Sequence, residues 1–182
     1  IRARDGLGLS GERLVVAGLG RLHPQKNWPL FLQVAARFPE VDFVVAGTGP
    51  EGGDLRRGAP GNVRFIGFRD SREVLAAADV FMLTSDYEGM PMTLLEAMAC
   101  GVPSVVSDVD GCREILHDGE GGVTARPGDA DDFSAKLGAF LSDADWRAEQ
   151  GKLARERVLR DHDARAQTKA VETVYETLLA KH

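Results

Sequence analysis

Short apolar, β-rich runs alternate with helical stretches as far as about residue 125, and this alternation restricts the fold more than any other feature of the chain. Residues 13–18 read as a buried strand, and residues 28–38 as a helix with Asn27 at its N-cap. Residues 41–46 are a second strand, followed by the Gly-Thr-Gly-Pro turn at 47–50, and residues 62–67 are a third. Ser71 is expected to cap a helix running through Ala78, and residues 79–84 form the fourth strand. A helix over 91–100 has Pro91 in its first turn and Gly101 just past its end, the usual asymmetry of helix termini. Residues 103–107 and 122–125 supply strands five and six. Repeated strand–helix units of this length predict an α/β fold, a doubly wound parallel sheet of about six strands with helices on both faces. Ligands of such sheets sit beyond the carboxyl ends of the strands, in loops leading into helices.

After Asp129 the strands stop. Asp129 caps an amphipathic helix carrying Phe133, Leu137, Phe140 and Leu141, and a long polar helix is expected over 164–181. The chain therefore divides into a core of about 8–142 and a helical extension of about 143–182 within a single domain, with no internal repeat. It opens on Ile1 with no initiator Met and no basic-then-apolar leader, which predicts a piece of a longer protein.

Charge narrows the classes of ligand. With 22 basic and 28 acidic residues the formal charge is −6, which argues against general nucleic-acid binding, because that rests on neutralising phosphates. Any phosphate must meet a small local cluster of positive charge. No apolar run approaches the roughly 18–20 residues of a membrane span. Cys100 and Cys112 form no CxxC and are read as reduced structural thiols of a cytoplasmic protein.

Two strand-to-helix loops carry candidate chemistry. After the first strand, residues 18–27 combine flexible glycines with Arg21 and Lys26 just before a helix, either an anion cradle or a solvated loop with two surface cations. His23 stands where a dinucleotide fingerprint needs its third Gly, so an NAD site is disfavoured. After the fourth strand, Glu88 lies before a helix and Glu96 lies inside it, among Leu94, Leu95, Ala97 and Met98. A carboxylate in so apolar a run needs a partner. Spacing alone leaves two: a Lys or Arg of the fold, or the hydroxyls of a ligand.

Glu88 and Glu96 enclose seven residues, E-x7-E, within EGMPMTLLEAMACGVP. Together with Gly20-Arg21-Leu22, Lys26-Asn27, residues 47–50, 63–67, 78–80 and 107–115, and the turn at 126–129, this run resembles the C-terminal domain of glycosyltransferase family 4. The resemblance covers about residues 8–142 in order. It implies the Rossmann-like C-terminal half of a GT-B fold and retaining transfer of a sugar from a nucleoside diphosphate-sugar to a hydroxyl, with an N-terminal acceptor domain absent from this chain. It also implies roles. Arg21 and Lys26 hold the donor diphosphate and offset charge on the leaving group. Glu88 binds donor-sugar hydroxyls, without being a nucleophile, and Glu96 accepts hydrogen bonds from the ribose diol. Backbone around Gly89, Met90, Met92 and Thr93 meets sugar and phosphates. Gly49 and Phe68 complete the set, with the base near residues 65–69. The implied donor is a UDP-, GDP- or ADP-sugar, and neither a cofactor nor a metal is implied.

The chain departs from the family pattern at Pro91, where a Gly is frequent and where Pro removes a backbone donor, and at Asp110 and Arg113, which bear on sugar specificity. Other readings share parts of the pattern. A nucleotide-sugar 2-epimerase has the same two-domain architecture, and a non-catalytic nucleotide-binding module is a further reading. Asp108-Val109-Asp110 has the spacing of a metal-binding Asp-x-Asp, but so do 129–131, 143–145 and 161–163, so the match carries little weight. His23, His117, His162 and His182 lack ligand spacing and are expected at the surface. The late helices, with Trp146 and Tyr175, are expected to pack on the fold or on the absent domain. A stripe of Val171, Val174 and Leu178 would support weak self-association, and the full-length protein would be membrane-peripheral where its acceptor is a lipid.

Overall fold

The computed structural model describes residues 2–9 and 11–179. Six strands, β1 (Val15–Leu19), β2 (Asp42–Ala46), β3 (Val63–Gly67), β4 (Val80–Leu83), β5 (Ser104–Ser107) and β6 (Gly122–Ala125), form one sheet in the order β3-β2-β1-β4-β5-β6. Every neighbouring pair is parallel. This is the doubly wound order, and the direction of winding reverses between β1 and β4.

The strands are apolar at consecutive positions because both faces are covered. Val15, Ala17 and Leu19 enter one core and Val16 enters the other, all buried. The first core is closed by α4 (Ser71–Leu75), α5 (Met92–Ala99), α6 (Asp110–Ile115) and α8 (Ala144–Asp161), through Leu75, Leu94, Ile115 and Ala154. The second is closed by α2 (Trp28–Ala35), α3 (Gly52–Arg57) and α7 (Ala130–Ser142), through Phe31, Leu55 and Phe133. Trp146 stacks on Phe140 with ring centroids 4.1 Å apart, which fastens the start of α8 to α7. Such a pair contributes roughly 0.5–1.5 kcal/mol beyond its buried area.

Several expected boundaries move. Strand β1 begins at Val15, and the Arg13 guanidinium before it donates to the carbonyls of Pro39 and Glu40. Asp70, not Ser71, caps α4: its carboxylate accepts from the Arg72 amide at 2.9 Å, and the helix is one turn shorter than expected. Pro91 stands at the N-cap of α5 in an extended conformation rather than in the first turn. Three short helices, α1 (Arg2–Gly6), α3 and α6, were not anticipated. The last helix, α9 (Ala164–Leu179), matches the expected long polar helix up to Leu179; residues 180–182, with His182, lie outside the described residues. On α9 the side chains of Val171, Val174, Tyr175 and Leu178 are exposed, so Tyr175 does not pack on this fold while Trp146 does.

Candidate functional site

The loops leaving β1 and β4 diverge to opposite faces of the sheet, and between them the chain leaves a crevice. Five hydrogen bonds stitch these loops together. Thr84 Oγ1 donates to the carbonyls of Lys26 (3.0 Å) and Asn27 (3.1 Å), and the Asp86 amide donates to the Gln25 carbonyl at 2.9 Å. Asn27 Nδ2 donates to Asp86 Oδ1 at 2.7 Å, and Gln25 Nε2 to the Tyr87 carbonyl at 3.0 Å. Asn27 adopts a left-handed conformation (φ 46°) and its side-chain oxygen accepts from the Leu30 amide, so it is the N-cap that the sequence predicts. The backbone carrying Arg21 and Lys26 is thereby locked to the backbone carrying Glu88.

Beside this seam lies a cleft of about 950 Å³. Gly20, Arg21, Gly47, Thr48, Gly49, Phe68, Arg69, Thr93 and Glu96 are among the residues that line it. Its floor depends on glycine. A Cβ on Gly47 would lie 1.9 Å from the Gly20 carbonyl oxygen, and Gly47 has φ +148°. Only a residue without a side chain lets the loops after β1 and β2 approach this closely.

Of the residues expected to hold donor, Arg21, Gly49, Phe68, Thr93 and Glu96 share this one cleft. Arg21 is exposed, and its guanidinium makes no hydrogen bond or ion pair to a described residue; the Trp28 indole N–H donates to its carbonyl instead, at 2.9 Å. Arg69, which sequence reasoning placed only at the edge of the base region, also lines the cleft. The neighbouring Arg72 is held by Asp70 at 2.7 Å. Hydrogen bonds from the Arg72 side chain and backbone keep the Asp70 carboxyl down at about 2. In a chain of net charge −6, the guanidinium groups of Arg21 and Arg69, neither paired with a described residue, give this cleft the small positive cluster that an anion requires.

Glu96 is half-buried and has no ion-pair or hydrogen-bond partner among the described residues. The reading in which it pairs with a Lys or Arg of the fold is not what the structure contains. One turn earlier, Thr93 Oγ1 is buried without a hydrogen-bond partner among the described residues. Helix α5 carries no side-chain cap, which leaves its first amides, those of Met92 and Thr93, without intrahelical acceptors. Phe68 is 81% exposed at the mouth of the cleft, presented by Gly67 at φ +71°.

Lys26 and Glu88 do not line the cleft wall; they lie beside it as a closed pair. Lys26 Nζ is 2.5 Å from Glu88 Oε1, and the two side chains are 15% and 7% exposed. The Lys26 side chain runs against Gly20. Ser85, fully buried, donates to the same Glu88 oxygen at 2.7 Å. Sequence reasoning missed Ser85 and Thr84; the available signal was a Ser/Thr pair at the carboxyl end of a strand, immediately before the acidic loop. Gly89 is exposed, with its carbonyl against Gly111, and Met90 and Met92 are exposed.

The remaining candidates resolve into structural roles. Arg113 binds both Asp108 (2.6 Å) and Asp110 (3.3 Å), so the Asp-x-Asp carboxylates are bridged by a cation of the chain. Among the described residues no group of three or more His, Cys, Asp or Glu is arranged to hold a metal ion. His23 is half-buried rather than superficial and accepts from the Gln25 amide, while His117 is exposed. Both cysteines are free; burial, with a smaller contribution from the Glu88 charge, pushes the Cys112 thiol up to about 12. Among the described residues no helix is long and apolar enough to cross a membrane.

Comparison with known proteins gives this geometry a context. The family model described as "Glycosyl transferases group 1" matches residues 13–143. The chain is 34% identical to the lipopolysaccharide core biosynthesis glycosyltransferase LpsE of Rhizobium meliloti, over 75% of this chain and 43% of that protein. It is also 34% identical to the phosphatidyl-myo-inositol mannosyltransferase of Mycolicibacterium smegmatis, over 94% of this chain and 47% of that one. Among solved structures, sucrose-phosphate synthase of Thermosynechococcus elongatus superposes with a TM-score of 0.90 at 27% identity, covering 99% of this chain and 49% of that one. The chain thus spans less than half the length of each of these proteins.

Proposed function

This chain belongs to the glycosyl transferases group 1 family, and from that premise we propose that it is the donor-binding domain of a retaining glycosyltransferase of family 4, holding a nucleoside diphosphate-sugar whose sugar passes to a hydroxyl acceptor. The observation that carries the reading is Glu96: a half-buried carboxylate with no described protein partner, in the same cleft as the unpaired Arg21. An ionised carboxylate only accepts hydrogen bonds, and a ribose diol donates two. Arg21 and the free amides of α5 meet the diphosphate, where positive charge offsets the negative charge that develops as the sugar–phosphate bond breaks. The exposed ring of Phe68 and the backbone of residues 67–69 receive the base. Lys26 and Glu88 stand at the end where the sugar is held, with Lys26 shared between Glu88 and the diphosphate.

The acceptor site belongs to a further domain of the full-length protein, against which the apolar stripe of α9 packs. By itself the chain binds donor nucleotide and transfers little or no sugar; multiple-turnover transfer by the purified chain contradicts this division of labour. Backbone amide NMR during addition of UDP, GDP and ADP maps the site. The expected result is a set of perturbed amides at 20–21, 47–49, 67–70 and 92–96. Perturbation confined to α7–α9 overturns the reading.

A further inference from the structure

We infer that Ser85 is the positioning residue of the sugar-contacting carboxylate: its hydroxyl anchors Glu88 Oε1 so that Glu88 Oε2 is presented to the donor sugar. This rests on the proposed role of Glu88 and extends it to a residue that touches no ligand.

The geometry divides the Glu88 carboxylate into two unequal oxygens. Oε1 receives both the Ser85 hydroxyl (2.7 Å) and the Lys26 ammonium (2.5 Å). Oε2 makes no hydrogen bond to a described residue, yet it is not sealed from solvent. A carboxylate offers about four lone-pair sites, so the oxygen left unengaged is the one free to accept from sugar hydroxyls. Ser85 is held in place itself. It is 0% exposed at the end of β4, and its neighbour Thr84 is tied to the carbonyls of Lys26 and Asn27.

Lys26 cannot do this alone. Its ammonium is a flexible point charge with three donors, and a bound diphosphate competes for it. The Ser85 hydroxyl is neutral, short and buried, and gains nothing by leaving Oε1 for a phosphate it does not reach. When the diphosphate draws on Lys26, Ser85 is what keeps Oε2 aimed.

The test compares affinities for UDP against UDP-glucose and for GDP against GDP-mannose in the unaltered chain and in Ser85→Ala, Ser85→Thr and Glu88→Gln. The quantity read is the ratio of diphosphate to nucleotide-sugar Kd, which isolates the sugar. Ser85→Ala is expected to reduce that ratio about five- to tenfold while the diphosphate Kd changes less than twofold; this corresponds to about 1–1.4 kcal/mol. Ser85→Thr, which keeps the hydroxyl, restores most of it. If Ser85→Ala weakens both ligands equally, the residue is merely structural and the inference falls. If Ser85→Ala leaves the ratio unchanged while Glu88→Gln lowers it, Glu88 binds sugar without Ser85, and again only the inference falls. If Glu88→Gln also leaves the ratio unchanged, or the unaltered chain shows no sugar increment, the role of Glu88 itself is overturned together with this inference.

Discussion

Replacing Glu96 by Ala lowers the nucleoside diphosphate affinity of this chain roughly 10- to 150-fold and does not destabilise the fold. The size follows from a hydrogen bond to a charged group, about 1.5–3 kcal/mol, at about 1.4 kcal/mol per tenfold. The second half of the expectation is the more discriminating. Glu96 is half-buried within an apolar helix and has no described protein partner, so truncating it removes a desolvated charge rather than a bond of the fold. Its melting temperature should equal or exceed that of the unaltered chain. Arg21→Ala should weaken binding on a similar scale with no loss of stability, because the Arg21 guanidinium has no described partner and it is the backbone carbonyl that is used, by the Trp28 indole and the His23 amide. Equilibrium binding of a fluorescent nucleotide and a thermal melt check both halves. A Glu96→Ala chain that melts lower while binding normally would mean that Glu96 serves the fold.

Lys26→Ala, unlike these two, also costs stability: it destabilises the chain by about 3 kcal/mol. Removing one member of a buried ion pair strands the other, a loss of about 3–5 kcal/mol in well-buried cases. Here Glu88 is 7% exposed and keeps only the Ser85 hydroxyl, so the lower end of that range applies. Glu88→Gln should be milder, since the amide can still accept from Ser85 and the longer Lys26 can reach water from its 15% exposed position. Urea unfolding reads the difference as a lowered midpoint at unchanged slope. Equal, small losses in the two variants would show that water screens the pair and that its geometry stores little.

The contrast between these two carboxylates shows how far the sequence could be read. The E-x7-E spacing singled out both, and the strand–helix alternation placed both at the carboxyl edge of the sheet. It could not tell that Glu88 is closed on a lysine 62 residues away while Glu96 is left open, because that depends on how the loops after β1 and β4 meet. The β2-β1-β4 order behind that meeting is the doubly wound one. The seam itself, made by Gln25, Asn27, Thr84 and Asp86, consists of loop-to-loop hydrogen bonds, most of them from side chains, with no periodicity to reveal them.

The helices divide in the same way. Helices α2 and α7 were legible because a capping Asn27 or Asp129 precedes an apolar 3.6-residue pattern. Helix α3 was not, since it opens on Gly52-Gly53 with no side-chain cap, and α6 likewise begins without one around a glycine. Tertiary contact dictates that glycine: a Cβ on Gly111 would lie 2.3 Å from the Gly89 carbonyl oxygen. Propensity points away from a helix there, and packing overrides it. The N-cap at Asp70 in place of Ser71 is a one-residue slip between two good capping residues, decided by the Arg72 side chain that engages Asp70.

On the proposed reading, the cleft beside these loops holds a nucleoside diphosphate by charge and hydrogen bonds of the chain alone. Calorimetric titration of the purified chain with UDP, GDP and ADP, each in the presence of EDTA, tests it most directly. Saturable one-to-one binding that favours one base is expected, with affinity that falls as salt rises because Arg21 and Lys26 meet phosphate. No binding of any of the three, or binding that disappears when EDTA is added, would contradict it.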